Sequence, residues 1–164
     1  PLQQGIGLLV QGRPLGNEGK IAGVAVFRQR IAGRPDFEAA VPLSPVTEKR
    51  FKLPFDHVNG YETGVAIVSW GTYSNGDMMM TPTPIIAEFW DESGIRIGTG
   101  SLALSPIGYT AFTLNQKFPE LAGRRRVIEF RSSKSFMAGL GLRFSPGGSF
   151  TSVPTASLAT WNPY

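Results

Sequence analysis

The chain has 164 residues, 41% of them apolar and 17% charged, with a net charge of +4, which fits one folded globular domain with a core of its own and excludes a disordered tract. It has no cysteine, so a disulfide scaffold, thiolate chemistry and a cysteine-ligated metal are excluded. Twenty glycines and 13 prolines are spread along it, the punctuation of many short strands joined by turns.

In chain order, Gly5 to Gln11 predicts a first strand, followed by turn-like residues 12–19. Ile21 to Gln29 predicts a strand that leaves the core at Arg28. Phe37 to Val41 predicts a short strand stopped by Pro42, and Arg50 to Leu53 a half-exposed one that ends at Pro54. The stretch Gly60–Gly71 is apolar on both faces and too short for a typical helix, which predicts a strand at the centre of a sheet. Residues 72–83 form the longest irregular stretch. Pro84 to Trp90 and Ile95 to Ile97, joined by Asp91-Glu92-Ser93-Gly94, predict a hairpin. Tyr109 to Leu114 alternates. Residues 115–123 give one short helical turn, with Asn115 as its cap, Gly123 as its end and Pro119 limiting its length. Residues 126–132, 138–144 and 149–153 complete the strands.

Nine to eleven short strands without crossover helices predict an all-β fold. The expected architecture is an antiparallel β-sandwich of immunoglobulin-like or jelly-roll type, as a single domain over 1–154. Residues 1–20 form a strand extension to it and 155–164 a C-terminal tail.

Several segments resemble landmarks of uncharacterised modular all-β domains of exported bacterial cell-surface proteins. They are residues 23–28, 39–43, 53–56, 63–68, 91–94, 118–123 and 140–144, with a closing motif at 149–154. The resemblance spans residues 21–154. It implies an exported, modular protein and no assigned activity. The chain begins with Pro1 and not Met, so the expectation is an extracellular or cell-surface location with a signal peptide removed. No run is long enough for a membrane-spanning helix.

Candidate chemistry is sparse. The one histidine, His57, reads as an exposed turn residue, and no Gly-x-Ser-x-Gly elbow supplies a nucleophile. Glu62, Glu88 and Glu129 lie on strands as a glycosidase pair would, but Glu88 and Glu129 fall in outward slots, the ordinary place for a solvated charge. The turn oxygen donors Asp56, Asn59 and Glu62, Asn75 and Asp77, and Asp91 and Glu92 match no calcium-loop spacing. No Gly-x-Gly opens a helix with a third glycine, so no cofactor is expected. The basic groups at 124–126 and 28–34 carry no nucleic-acid-binding signature. No catalytic or metal-ligating residue is therefore assigned.

Two functional readings remain. One is a non-catalytic extracellular structural or adhesive module, the repeating subunit of a surface fibre that pairs a terminal strand with a neighbour. Its contact residues would be Ile6, Leu8, Val10, Trp161 and Tyr164. The other is a carbohydrate-binding module using Trp70, Tyr73 and Trp90 as a stacking platform. The partners expected are further copies of the chain or a glycan.

Overall fold

A computed structural model describes residues 22–30, 32–33, 35–43, 46, 48–70, 73–74, 77–78, 82–105 and 107–157. They form an all-β antiparallel sandwich with one short helical turn. The strands are β1 (Val24–Gln29), β2 (Phe37–Pro42), β3 (Arg50–Asp56), β4 (Glu62–Trp70), β5 (Tyr73–Ser74), β6 (Asp77–Met78) and β7 (Thr83–Trp90). Then come β8 (Arg96–Leu104), β9 (Ile107–Thr113), α1 (Leu114–Lys117), β10 (Arg125–Ser132), β11 (Phe136–Phe144), β12 (Phe150–Val153) and β13 (Ala156–Ser157). A five-stranded sheet runs β13-β3-β10-β7-β8 and packs on a four-stranded sheet, β12-β11-β4-β9. β1 and β2 form a separate ribbon, as do β5 and β6. The expected first strand at 5–11 lies outside the described residues.

The alternation read from the sequence places the core. Phe51, Leu53 and Phe55 of β3, Ile85, Ala87 and Phe89 of β7, and Ile128 and Phe130 of β10 point inward from the five-stranded sheet. Val65 and Ile67 of β4 and Met137 of β11 meet them from the other. Each of these apart from Ala87 contributes about 1.5–3 kcal/mol when fully buried. Two glycines let the sheets approach: a Cβ on Gly139 would strike the Phe51 ring, and one on Gly141 would strike Leu53. Leu114, Phe118 and Leu121 close one end of the core from the helical turn.

Several expectations change. β3 runs through Pro54 to Asp56 and does not stop there. Ser132 donates its N–H to the Lys49 carbonyl and His57 donates to Arg124, so odd-numbered β3 residues bond to β10. Pro54 thus lacks its N–H on the side away from β10, where β13 pairs only with Phe51 and Lys52, and the strand loses nothing. β8 passes unbroken through Gly98 and Gly100, the latter lying under the Phe118 ring. β9 begins at Ile107. The helix is capped at Thr113, while Asn115 sits inside it and donates to Glu62 Oε1 (2.6 Å). β1 is not a core strand that exits at Arg28, because every one of its residues is exposed.

Candidate functional site

The outer face of the five-stranded sheet carries the densest polar cluster. Antiparallel register sets Glu88 of β7 directly opposite Glu129 of β10, and Lys52 of β3 on the other side of Glu129. Both glutamates are only 6% exposed, so they are not the solvated charges that alternation suggests. Cationic side chains pair with them, two arginines on Glu88 and a lysine on Glu129. Glu88 Oε1 accepts from Arg96 Nη1 (2.9 Å) and Arg131 Nη2 (3.1 Å). Lys52 Nζ lies 3.7 Å from Glu129 Oε2 and 5.5 Å from the centre of the Trp90 ring. Burial pushes the Glu88 carboxyl up, but the hydrogen bonds from Arg131 and Arg96 outweigh it and hold its pKa below the ordinary carboxylate value. A glycosidase acid must stay protonated near neutrality. Glu88 is held in the opposite state. Glu62, the third candidate, lies on the other sheet with Asn115.

A second cluster closes one end of the sandwich. Asp56 Oδ2 accepts from Arg125 Nη2 (3.1 Å) and from Arg143 Nε (3.0 Å) and Nη2 (2.6 Å). Its Oδ1 accepts the Val58 N–H (3.1 Å). Burial raises the Asp56 pKa and the bonds from Arg125, the Val58 amide and Arg143 lower it further, so it too lies below its ordinary value. The Arg143 guanidinium stacks 3.7 Å from the Tyr61 ring centre, joining β11 to the turn before β4.

His57 is buried and not an exposed turn residue. Its Nδ1 lies 3.2 Å from the Leu121 carbonyl, which can only accept, so Nδ1 carries the proton. The ring also packs against Phe55, with centroids 5.1 Å apart. A triad would need an Asp on Nδ1. Here a backbone carbonyl takes that place, and Asp56 is occupied by two guanidiniums. Of the calcium candidates, Asp91 is engaged by backbone: its Oδ1 accepts the Ser93 and Ile95 amides and shapes the β7–β8 turn. Among the described residues no three acidic or histidine side chains are placed to hold a metal.

The outer face of the four-stranded sheet is different in kind. Thr63, Val65, Ile67 and Ser69 of β4 are buried inward, while Ala66, Val68 and Trp70 point outward and are half-buried. Register lines them up with Leu140, Ala138 and Phe136 of β11 on one side. On the other lie Ala111, Tyr109 and Ile107 of β9. Tyr109 and Ile107 are 48% and 49% exposed. This explains the two greasy faces of the 60–71 stretch: one is core, the other surface.

Two of the three predicted stacking residues lie on different sheets. Trp70 lies on the outer face of the four-stranded sheet and Trp90 on that of the five-stranded sheet. Tyr73 is in β5, and its side chain lies outside the described residues, as do Ile6, Leu8, Val10, Trp161 and Tyr164. A depression of about 90 Å³ between Phe51, Met137 and Thr155 is far smaller than a ligand pocket, roughly 300–1,000 Å³. Compared with family models, curated proteins and solved structures, the chain matches none.

Proposed function

We propose that the chain is a non-catalytic structural or adhesive module, extracellular or at the cell surface, that works by self-association. The observation that carries this reading is the apolar outer face of the four-stranded sheet. An antiparallel sheet that faces water ordinarily alternates to polar residues on that side. Here Val68, Trp70, Phe136 and Leu140 sit there instead, with Ile107 and Tyr109 exposed beside them. Contiguous apolar surface of this kind marks contact sites. The resemblance to modular exported domains supports the location. Both buried acidic clusters are ion-paired with cations, which suits a scaffold better than a reacting centre. Sedimentation equilibrium over a wide concentration range tests the reading. Self-association is expected, and a monomer at every concentration would end it.

A carbohydrate-binding reading keeps one supporting observation, now confined to Trp90. Lys52 reaches its ring, and Glu88, two residues earlier on β7, projects from the same sheet face, so the aromatic surface has polar neighbours. Quenching of tryptophan fluorescence by sugars, lost in Trp90→Ala and kept in Trp70→Ala, would favour it.

A further inference from the structure

The β1–β2 ribbon packs on the sandwich through β2. All six residues of β1 are exposed, Val24 by 61% and Val26 by 62%, whereas Ala39 of β2 is buried. β2 lies against β12, and β1 is the outer strand. Among the described residues β2 is the only strand that β1 pairs with. An isolated two-stranded ribbon is marginal in water, and an exposed apolar edge strand is a template for a further strand.

The hydrogen-bond parity shows what that edge offers. Leu43 donates its N–H to the Gly23 carbonyl (2.9 Å), one step beyond the Val24–Pro42 pair. In an antiparallel ladder bonded and non-bonded pairs alternate. Gly23, Ala25, Phe27 and Gln29 therefore turn their backbone groups to β2. Val24, Val26 and Arg28 turn theirs to the edge that is unpaired among the described residues, a row of donors and acceptors symmetric about Val26.

We propose that β1 is a docking edge for a second copy of this chain, the two β1 strands pairing antiparallel about a two-fold axis through Val26. In that register Val26 lies opposite the partner's Val26 and Val24 opposite the partner's Arg28, so every outward backbone group between 24 and 28 finds a partner. Ala25 meets the partner's Phe27 on the other face. The charges are compatible. Arg28 opposes a valine and not its own copy, avoiding a like-charge pair, and it stays bonded to Glu38 on β2. The two ribbons become one four-stranded sheet, a size that is stable in water. The contact is isologous, so alone it makes a dimer. A second self-contact through the four-stranded sheet's outer face would extend the dimer into a fibre.

This inference rests on the self-association reading, and two measurements on the full chain separate them. The protein has no cysteine, so Val26→Cys and Val24→Cys each introduce a single thiol on the same exposed strand. Two Cys at position 26 would have Cα atoms about 5.5 Å apart in a bonded antiparallel pair, inside disulfide range. Two at position 24 would lie about 14 Å apart, four residues along the strand and one strand across. Under mild oxidation Val26→Cys is expected to form covalent dimer at least about tenfold faster, because a disulfide needs Cα atoms within about 7 Å. In sedimentation equilibrium Val26→Pro, which removes only an outward N–H, is expected to lose the dimer with an unchanged far-ultraviolet spectrum. A native chain that self-associates while the two cysteine variants cross-link equally overturns the β1 contact and leaves the self-association reading standing. A native chain that is monomeric throughout, with neither variant cross-linking, overturns both.

Discussion

Glu88 and Glu129 face each other directly across the β7–β10 pair, two buried carboxylates in adjacent slots of one sheet face. Like charges so placed repel by about 0.2–1 kcal/mol. The sheet offsets this with Arg96, Arg131 and Lys52, which reach over the pair from three strands. The surroundings convert an arrangement that could look catalytic into a cross-strand ion network spanning β3, β10, β7 and β8.

That network predicts coupling. The Arg131 side chain is 49% exposed, so solvent screens it and its loss is modest. Arg131→Met is expected to cost about 1 kcal/mol in urea unfolding. In a Glu88→Gln background the same change should cost about half as much or less, because the charge it serves is gone. Equal costs in both backgrounds would show that Arg131 acts through packing alone.

The pH dependence follows from the two depressed carboxyls. Glu88 and Asp56 lie below their ordinary values of 4.5 and 3.8 in the folded chain. A carboxyl depressed on folding adds stability that is present above its unfolded pKa and lost as pH falls through the folded one. The melting temperature should change little on account of these groups down to about pH 4.5 and fall steeply below it. Glu88→Gln should flatten the upper part of that fall. A melting temperature that rises on acidification below pH 4 would contradict the assignment.

The sequence shows the layers better than the contacts. Alternation at 127–131 and the Asp91–Gly94 turn are local signals, and the strands and hairpin they predict are present. The pairing of Glu88 with Glu129 depends on long-range register, which no local pattern contains. β1 carries a core-like apolar run, yet all six of its residues are exposed, and composition cannot tell a strand that is covered from one that is not. Pro54 looks like a strand stop because its effect depends on which edge its nitrogen faces. His57 reads as surface because it sits in a turn, yet the helical turn brings Leu121 over it.

The inter-sheet glycines give a packing test. A methyl group at Gly139 would overlap the Phe51 ring, and at Gly141 both Leu53 and the Val153 carbonyl. Leu53 is fully enclosed in the core, while Phe51, also a core side chain of β3, borders the small depression beside Thr155. Gly139→Ala and Gly141→Ala should each cost about 1–3 kcal/mol by overpacking. Denaturant midpoints measure this, and native-like values for both would mean that the sheets can separate without loss.

Asp56 ties the two sheets at one end. Asp56→Ala removes the shared acceptor of Arg125 and Arg143 and the cap on the Val58 amide. Arg143 is the more enclosed of the two cations, with its side chain 33% exposed. Leaving it unpaired should cost about 2–3 kcal/mol, somewhat less than for a fully buried pair. Asp56→Asn, which keeps an acceptor without the charge, should lie between the two. The ordering native, Asn, Ala in unfolding free energy is the check, and an Ala variant as stable as native would show the cluster to be ornamental.

The apolar outer face predicts a separation of assembly from stability. Ile107 and Tyr109 stand at the β9 edge of the four-stranded sheet, half exposed, and neither belongs to the core cluster. Replacing either by Lys adds a charge to the face without disturbing the interior, so the unfolding free energy should stay within about 0.5 kcal/mol of native. If the face makes self-contacts, a lysine there must be desolvated on association. Ile107→Lys and Tyr109→Lys should then weaken the concentration dependence of the sedimentation profile, most in the higher assemblies. The β1 cysteine cross-link at position 26 should be unaffected, since it lies on a different surface. Unchanged assembly in the double variant, with native stability, would remove the outer face from the interaction and leave the strand edge as the place where copies meet.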